Sequence, residues 1–162
     1  MPEVQQGVAS VLWGLGESAR EDCVLLAHAL PDELAPTVWA SGERKARETA
    51  DVLALRKGLV VESDHRFGEV DRPQIWDRDY REVAATYLAG STETEWEDRD
   101  QVRQRFGAAV TDAVNGAGGR DVLVVNHGLA MSLWVASVAD IRLVEWWRAL
   151  TFPDAWRVDT EA

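Results

Sequence analysis

Short runs of consecutive apolar residues alternate along this chain with longer segments in which apolar residues return every three or four positions. The short runs are Val8-Ala-Ser-Val-Leu-Trp13, Thr37-Val-Trp-Ala-Ser41, Gly58-Leu-Val-Val-Glu62 and Asp121-Val-Leu-Val-Val-Asn126. The last is nearly all branched aliphatic, and such runs suit parallel strands covered on both faces. Residues 19–30 (Val24, Leu25, Ala27, Leu30) and 43–56 (Ala46, Ala50, Leu53) predict helices. Val102, Phe106, Ala109, Val110, Ala113 and Val114 trace a helical stripe, and Met131, Trp134, Val135 and Val138 trace another. Gly116-Ala-Gly-Gly119 closes the long helix with residues that tolerate left-handed backbone. Trp156 and Val158 alternate as an edge strand would. Strand–helix alternation predicts the α/β class, a three-layer sandwich with a mainly parallel central sheet. No linker, repeat or low-complexity tract divides residues 1–162, so a single domain is expected. The acidic stretch from Gly90 to Gln101 reads as a solvated loop entering a helix.

Charge narrows the partners. Seventeen basic residues against 28 acidic ones give a net charge of −11, which argues against nucleic acid and anionic membrane surfaces. No apolar run approaches the roughly 20 residues that span a bilayer, and Met1-Pro-Glu-Val-Gln-Gln has no charged and apolar leader pattern. A cytoplasmic location is the expectation. The single Cys23 excludes an internal disulfide and a cysteine-based metal cage, and it reads as a small buried hydrophobe. His28 falls on a helix face and His65 in a surface turn. With the His residues scattered, no metal site and no cofactor are expected. Trp134, Trp146 and Trp147 read as core or subunit-contact residues, which makes a homodimer through the C-terminal end an expectation.

Open parallel sheets bind ligands outside the carboxyl ends of their strands. The residues following the predicted strands are Gly14–Ser18, Ser41–Arg47, Asp64–Glu69 and Asn126–Gly128. They contain Glu17, Ser18, Lys45, Glu69 and His127. A histidine, a carboxylate and a cation in one crevice suit acid–base chemistry on an anionic small molecule. Glu17, Ser18, Ser41 and Lys45 read equally well as first-turn and capping residues of the following helices.

Several of these segments together resemble the histidine phosphatase superfamily, the phosphoglycerate-mutase-like proteins. Asp121-Val-Leu-Val-Val-Asn-His-Gly128 before an apolar helix is similar to that family's strand ending in His-Gly. Ser41-Gly-Glu-Arg-Lys-Ala-Arg-Glu-Thr-Ala50 resembles its strand-ending Ser followed by Arg-Ala and Gln-Thr-Ala. Arg66-Phe-Gly-Glu69 through Trp76 is similar to its loop carrying an acidic Glu, and Trp146-Trp-Arg-Ala-Leu-Thr-Phe-Pro153 to its tail. The resemblance implies a histidine-phosphatase-like fold over essentially the whole chain.

The departures from that pattern bear on chemistry. The family's first signature is a strand followed by Arg-His-Gly-Glu, whose His takes the phosphoryl group. Here the stretch reads Leu12-Trp-Gly-Leu-Gly-Glu-Ser18, so Leu15 stands at the nucleophile position and Gly14 at the Arg. Lys45 aligns with the second phosphate-binding Arg, with Arg44 and Arg47 as neighbours, while Glu69 and His127 remain. A Leu side chain has no lone pair to offer phosphorus, and Lys is a point charge where Arg is a bidentate fork. Loss of a covalent nucleophile costs on the order of 10⁶ in rate where residues act as a unit. The resemblance thus implies a degenerate member without phosphohistidine chemistry. Its crevice would be lined by Trp13, Gly14, Leu15, Glu17, Ser18, Lys45, Trp76 and Gly128, and its partner would be a small, anionic molecule. Two readings stay open beside this one. His127 and Glu69 could perform proton transfers on an organic substrate in a repurposed enzyme. Gly14-Leu-Gly-Glu-Ser-Ala19 also matches the glycine fingerprint of a dinucleotide-binding turn, with Glu43 as the only nearby ribose-binding acid.

Overall fold

The computed structural model describes residues 7–73, 79–91 and 95–160. At its centre lies the strand β1 (Leu34–Ala40), paired in parallel with β2 (Val60–Ser63) on one side and β3 (Asp121–Val125) on the other. Thr37 lies beside Val60, while Val38 and Ala40 lie beside Leu123 and Val125. Successive side chains of a strand point to opposite faces. Val38 and Ala40 therefore pack against α1 (Glu17–Ala29) and α2 (Arg44–Lys57), and Trp39 faces the other way. That second face carries α3 (Tyr80–Leu88), α4 (Arg99–Gly116), α5 (Gly128–Val138) and α6 (Leu143–Ala149). Helices on both faces of a parallel sheet make the three layers.

The buried face of each helix follows its spacing. Ala46, Ala50, Leu53 and Ala54 bury the inner side of α2 against the sheet. Val102, Phe106, Ala109 and Ala113 do the same for α4. In α1 the buried positions are Ala19, Cys23 and Ala27, spaced four apart, while Leu25 is exposed. Helix α5 is apolar nearly all round and is wedged among α4, α6 and the sheet, which buries Leu129, Ala130 and Leu133. The left-handed turn that stops α2 at Gly58 (φ 68°) lets the chain reverse directly into β2.

Two predicted strands are not strands. Residues Ser10–Leu12 of the Val8–Trp13 run form one turn of 3₁₀ helix. The amide of Leu12 donates to the Ala9 carbonyl, and that of Trp13 to the Ser10 carbonyl. The Trp13 indole donates to the Val8 carbonyl (3.1 Å) and the Lys45 ammonium to that of Ser10 (3.0 Å). Backbone groups that a sheet would use are spent locally and on a neighbouring side chain. The Trp156–Val158 alternation is likewise no strand, because the Trp156 ring packs on Trp146, 5.3 Å between centroids. Helices α3 and α6 were not among the predicted elements. In α6 the Trp146-Trp147 pair lies on a helix, which buries Trp147 and leaves Trp146 partly covered.

Phe106 is the side chain on which the α4–α5 layer closes, edge-on to Phe67 (5.2 Å) and stacked on Trp134 (5.5 Å). Replacing it with Ala removes both ring contacts and leaves a cavity. We predict that Phe106→Ala loses about 3–5 kcal/mol of stability in urea unfolding. Leu55→Ala, at a position 83% exposed, should lose less than about 0.5 kcal/mol in the same assay.

Candidate functional site

The carboxyl ends of β1 and β3 meet in register. The Ser41 amide continues the ladder by donating to the Val125 carbonyl (2.9 Å). Ser41, the first residue past β1, and His127, the second past β3, are therefore brought side by side although 86 positions separate them. The His127 Nε2 lies 2.8 Å from the Ser41 hydroxyl and 3.3 Å from Glu43 Oε1. Both side chains are buried. The hydroxyl also accepts the Glu43 amide at 3.2 Å, fixing the turn from β1 into α2. Because Ser41 and Glu43 share one ring nitrogen, the three do not form a Ser-His-acid relay, which would use the two nitrogens separately.

Glu43 is the hub. Its carboxylate accepts from the Lys45 ammonium and from the Glu69 amide (3.1 Å), in addition to its approach to His127. Lys45 is held from its other side by the Ser10 carbonyl (3.0 Å). The Glu69 carboxylate also lies close enough to His127 to act on its charge. It accepts the amides of Ala130 (2.9 Å), Leu129 (3.3 Å) and Val70 (3.0 Å), and so satisfies the first turn of α5 in the way an N-terminal cap does. The loop that delivers Glu69 is clamped by Arg105 of α4. Its guanidinium donates to the carbonyls of Arg66 (2.7 Å), Gly68 (2.9 Å) and Glu69 (3.1 Å) while paired with Glu97 (2.7 Å). Glu43 as a hub and Arg105 as a clamp were missed by sequence reasoning. The available signals were a carboxylate between Ser41 and Lys45 in a strand-to-helix turn, and an arginine between Val102 and Phe106 on an inward-facing helix.

The remaining sequence-predicted residues fall around this cluster. The Leu15 amide donates to Glu48 Oε2 (2.8 Å), and the same carboxylate binds Arg20 (2.6 Å) and Arg44 (2.7 Å). A side chain on Gly14 would meet the Arg44 guanidinium at 3.1 Å, so Arg44 covers that position with its charge committed to Glu48. Trp13 lies in the turn at the start of the described chain, and Glu17 and Ser18 are exposed in the first turn of α1. Gly128 opens α5 beneath the Phe152 ring, 3.2 Å from where its Cβ would stand. Trp76 lies outside the described residues. The structure thus brings together His127, Lys45 and the Glu69 backbone, and leaves Glu17 and Ser18 at the surface. The dinucleotide turn loses its context, because among the described residues no strand precedes Gly14 and Glu43 is engaged by Lys45 and lies beside His127. Among the described residues no cluster of His, Cys, Asp and Glu could hold a metal ion. No helix there is long and apolar enough to cross a membrane.

Burial pushes the His127 imidazole below its ordinary value of 6.5, and the Lys45 and Arg105 cations add to it against the pull of Glu69 and Glu43. Burial alone would raise the Glu43 carboxyl, but the His127 imidazole, the Lys45 ammonium and the Glu69 amide outweigh it, leaving it below 4.5. Where His127 is uncharged, Lys45 and the amide do the holding. Both shifts give stability that falls on acidification. The unfolded chain protonates its histidine below about pH 6.5 before the folded one does, and its Glu43 below about 4.5. We predict a urea midpoint that declines between about pH 7 and 5, with a shallower decline in His127→Gln.

A profile of the histidine phosphatase superfamily (branch 1) matches residues 9–156. Among solved structures, the chain is similar to a mycobacterial protein described as hydrolase 1, at 25% identity and TM-score 0.65, over 84% of this chain and 72% of that one. A mycobacterial glucosyl-3-phosphoglycerate phosphatase, solved with inorganic phosphate, is 24% identical with TM-score 0.70, over 91% and 78%. YhfR of Bacillus stearothermophilus is 22% identical with TM-score 0.69, over 84% and 72%. No curated protein matches the chain significantly. With nearly the whole chain matched by the family profile and the same layered fold in these neighbours, the chain belongs to branch 1 of the histidine phosphatase superfamily.

Proposed function

We propose that this chain is a catalytically silent member of its superfamily, a pseudoenzyme in which the strand-end site no longer transfers phosphoryl groups. The observation that carries the reading is the state of the site's charges. Leu15 offers no nucleophilic atom at the position of the phosphoryl acceptor, and Lys45 and Arg44 each already hold a carboxylate of the same chain, Lys45 that of Glu43 and Arg44 that of Glu48. A phosphomonoester dianion arriving there would face Glu43 and Glu69 with a neutral imidazole between them. Electrostatic stabilisation of a transferring phosphoryl group needs donors aimed at it, not already occupied.

The repurposed-enzyme alternative asks Glu69 to exchange protons beside His127. Three backbone amides occupy its oxygens, and the hydroxyl closest to His127 is that of the fully buried Ser41, so this geometry supports that reading less well. A structural neighbour was solved with inorganic phosphate, which makes phosphate and its esters the natural probes.

The reading is tested by incubating wild type and His127→Ala with a panel of phosphomonoesters across acidic to neutral pH. Neither protein should release phosphate above the buffer rate. Rapid release by the wild type that is lost in His127→Ala would overturn the proposal and make His127 essential to phosphoryl transfer.

A further inference from the structure

Three groups from separate segments converge on the Glu43 carboxylate: the Lys45 ammonium in the first turn of α2 and the Glu69 amide (3.1 Å) in the clamped loop donate to it, and His127 Nε2 (3.3 Å), at the entry to α5, lies beside it. All are shielded, with the Lys45, Glu43 and His127 side chains 18%, 12% and 5% exposed. An ordinary surface ion pair has neither this number of partners nor this burial, and contributes little.

Each of these groups is also anchored independently of the Glu43 carboxylate. Lys45 is anchored by the Ser10 carbonyl (3.0 Å), and His127 by the β3–α5 backbone and the Ser41 hydroxyl (2.8 Å). The Glu69 amide is fixed by the Arg105 bond to the carbonyl of the same residue (3.1 Å) and by those to the carbonyls of Arg66 and Gly68. With Glu43 withdrawn, the anchors on Lys45, His127 and the Glu69 amide would remain.

We infer that Glu43 is a tethered competitor seated in an oxyanion site, and that the site takes a free small oxyanion only when that carboxylate is removed or displaced. The inference rests on the reading of the chain as catalytically silent and specifies what its site can still bind. A carboxylate two residues from Lys45 acts at an effective concentration in the millimolar range or above, which a free anion must exceed. Apparent affinity for a free anion falls by the fraction of molecules in which the seat is vacant.

The test uses inorganic phosphate as the probe, with chloride at equal ionic strength as the control. Thermal unfolding and isothermal titration are compared for wild type, Glu43→Gln and the double variant Glu43→Gln/Lys45→Gln. Glu43→Gln should bind phosphate saturably, at least about tenfold more tightly than wild type, with a matching rise in Tm. The double variant should lose that response. If Glu43→Gln does not fold, Glu43→Ser, too short to reach Lys45, carries the same comparison. A folded single variant that ignores phosphate, a wild type that binds it equally, or a double variant that keeps the response would each overturn the inference. Turnover of phosphomonoesters, measured on the wild type, separates the two ideas. Hydrolysis there would sink the pseudoenzyme reading, whereas absent phosphate binding by silent variants would sink the inference alone.

Discussion

One largely shielded carboxylate ties together segments that the chain places far apart. Through Glu43, the turn after β1 is joined to the first turn of α2, to the entry of α5 and to the loop that follows β2. Through Lys45 it reaches the turn at Ser10–Leu12. A carboxylate withdrawn from water is tolerable only with donors that replace its hydration, so burying Glu43 dictates where Lys45, His127 and the Glu69 amide must stand. The parallel register of β1 and β3 makes this possible, because it sets Ala40 beside Val125 and so brings Ser41 within reach of His127.

Around that hub each charged group near the strand ends has been given a structural task. Glu69 completes the start of α5, Arg105 gathers the carbonyls of the Arg66–Glu69 loop, and Glu48 collects two guanidiniums and the Leu15 amide. Groups committed in this way make a rigid crevice floor. They also separate the fold from the reaction associated with it, since a fold constrains where chemistry can happen and only the site decides whether it does.

The central strands and the helices α2, α4 and α5 were legible in the sequence because their apolar periods are strong and their ends carry Gly or polar residues. The Val8–Trp13 run misled because strand periodicity cannot register a lysine, 35 positions on, that takes the Ser10 carbonyl. Leu25 misled for a related reason: its helix buries a narrow seam of Ala19, Cys23 and Ala27, where small side chains allow close approach to α2, and so turns the larger residue outward. Within the site, His127, Lys45 and Glu69 could be singled out by their places after strands. The part played by Glu43 could not, because it depends on three long-range partners and on no local pattern.

The tail beyond α6 forms neither helix nor strand in its described residues, and rests on the domain through ring contacts, Phe152 over Gly128 and Trp156 on Trp146, and an exposed ion pair of Arg157 with Asp121 (3.5 Å). Contacts of this kind can open as a unit without disturbing the sheet, because no ladder hydrogen bond crosses them. The first turn of α5 would then gain solvent on the side that Phe152 covers while Glu69 still holds its amides from the other. In hydrogen-exchange terms, the amides at the start of α5 would report on Glu69, and the indole protons of Trp146 and Trp156 on the tail, as two separate clocks within one small domain.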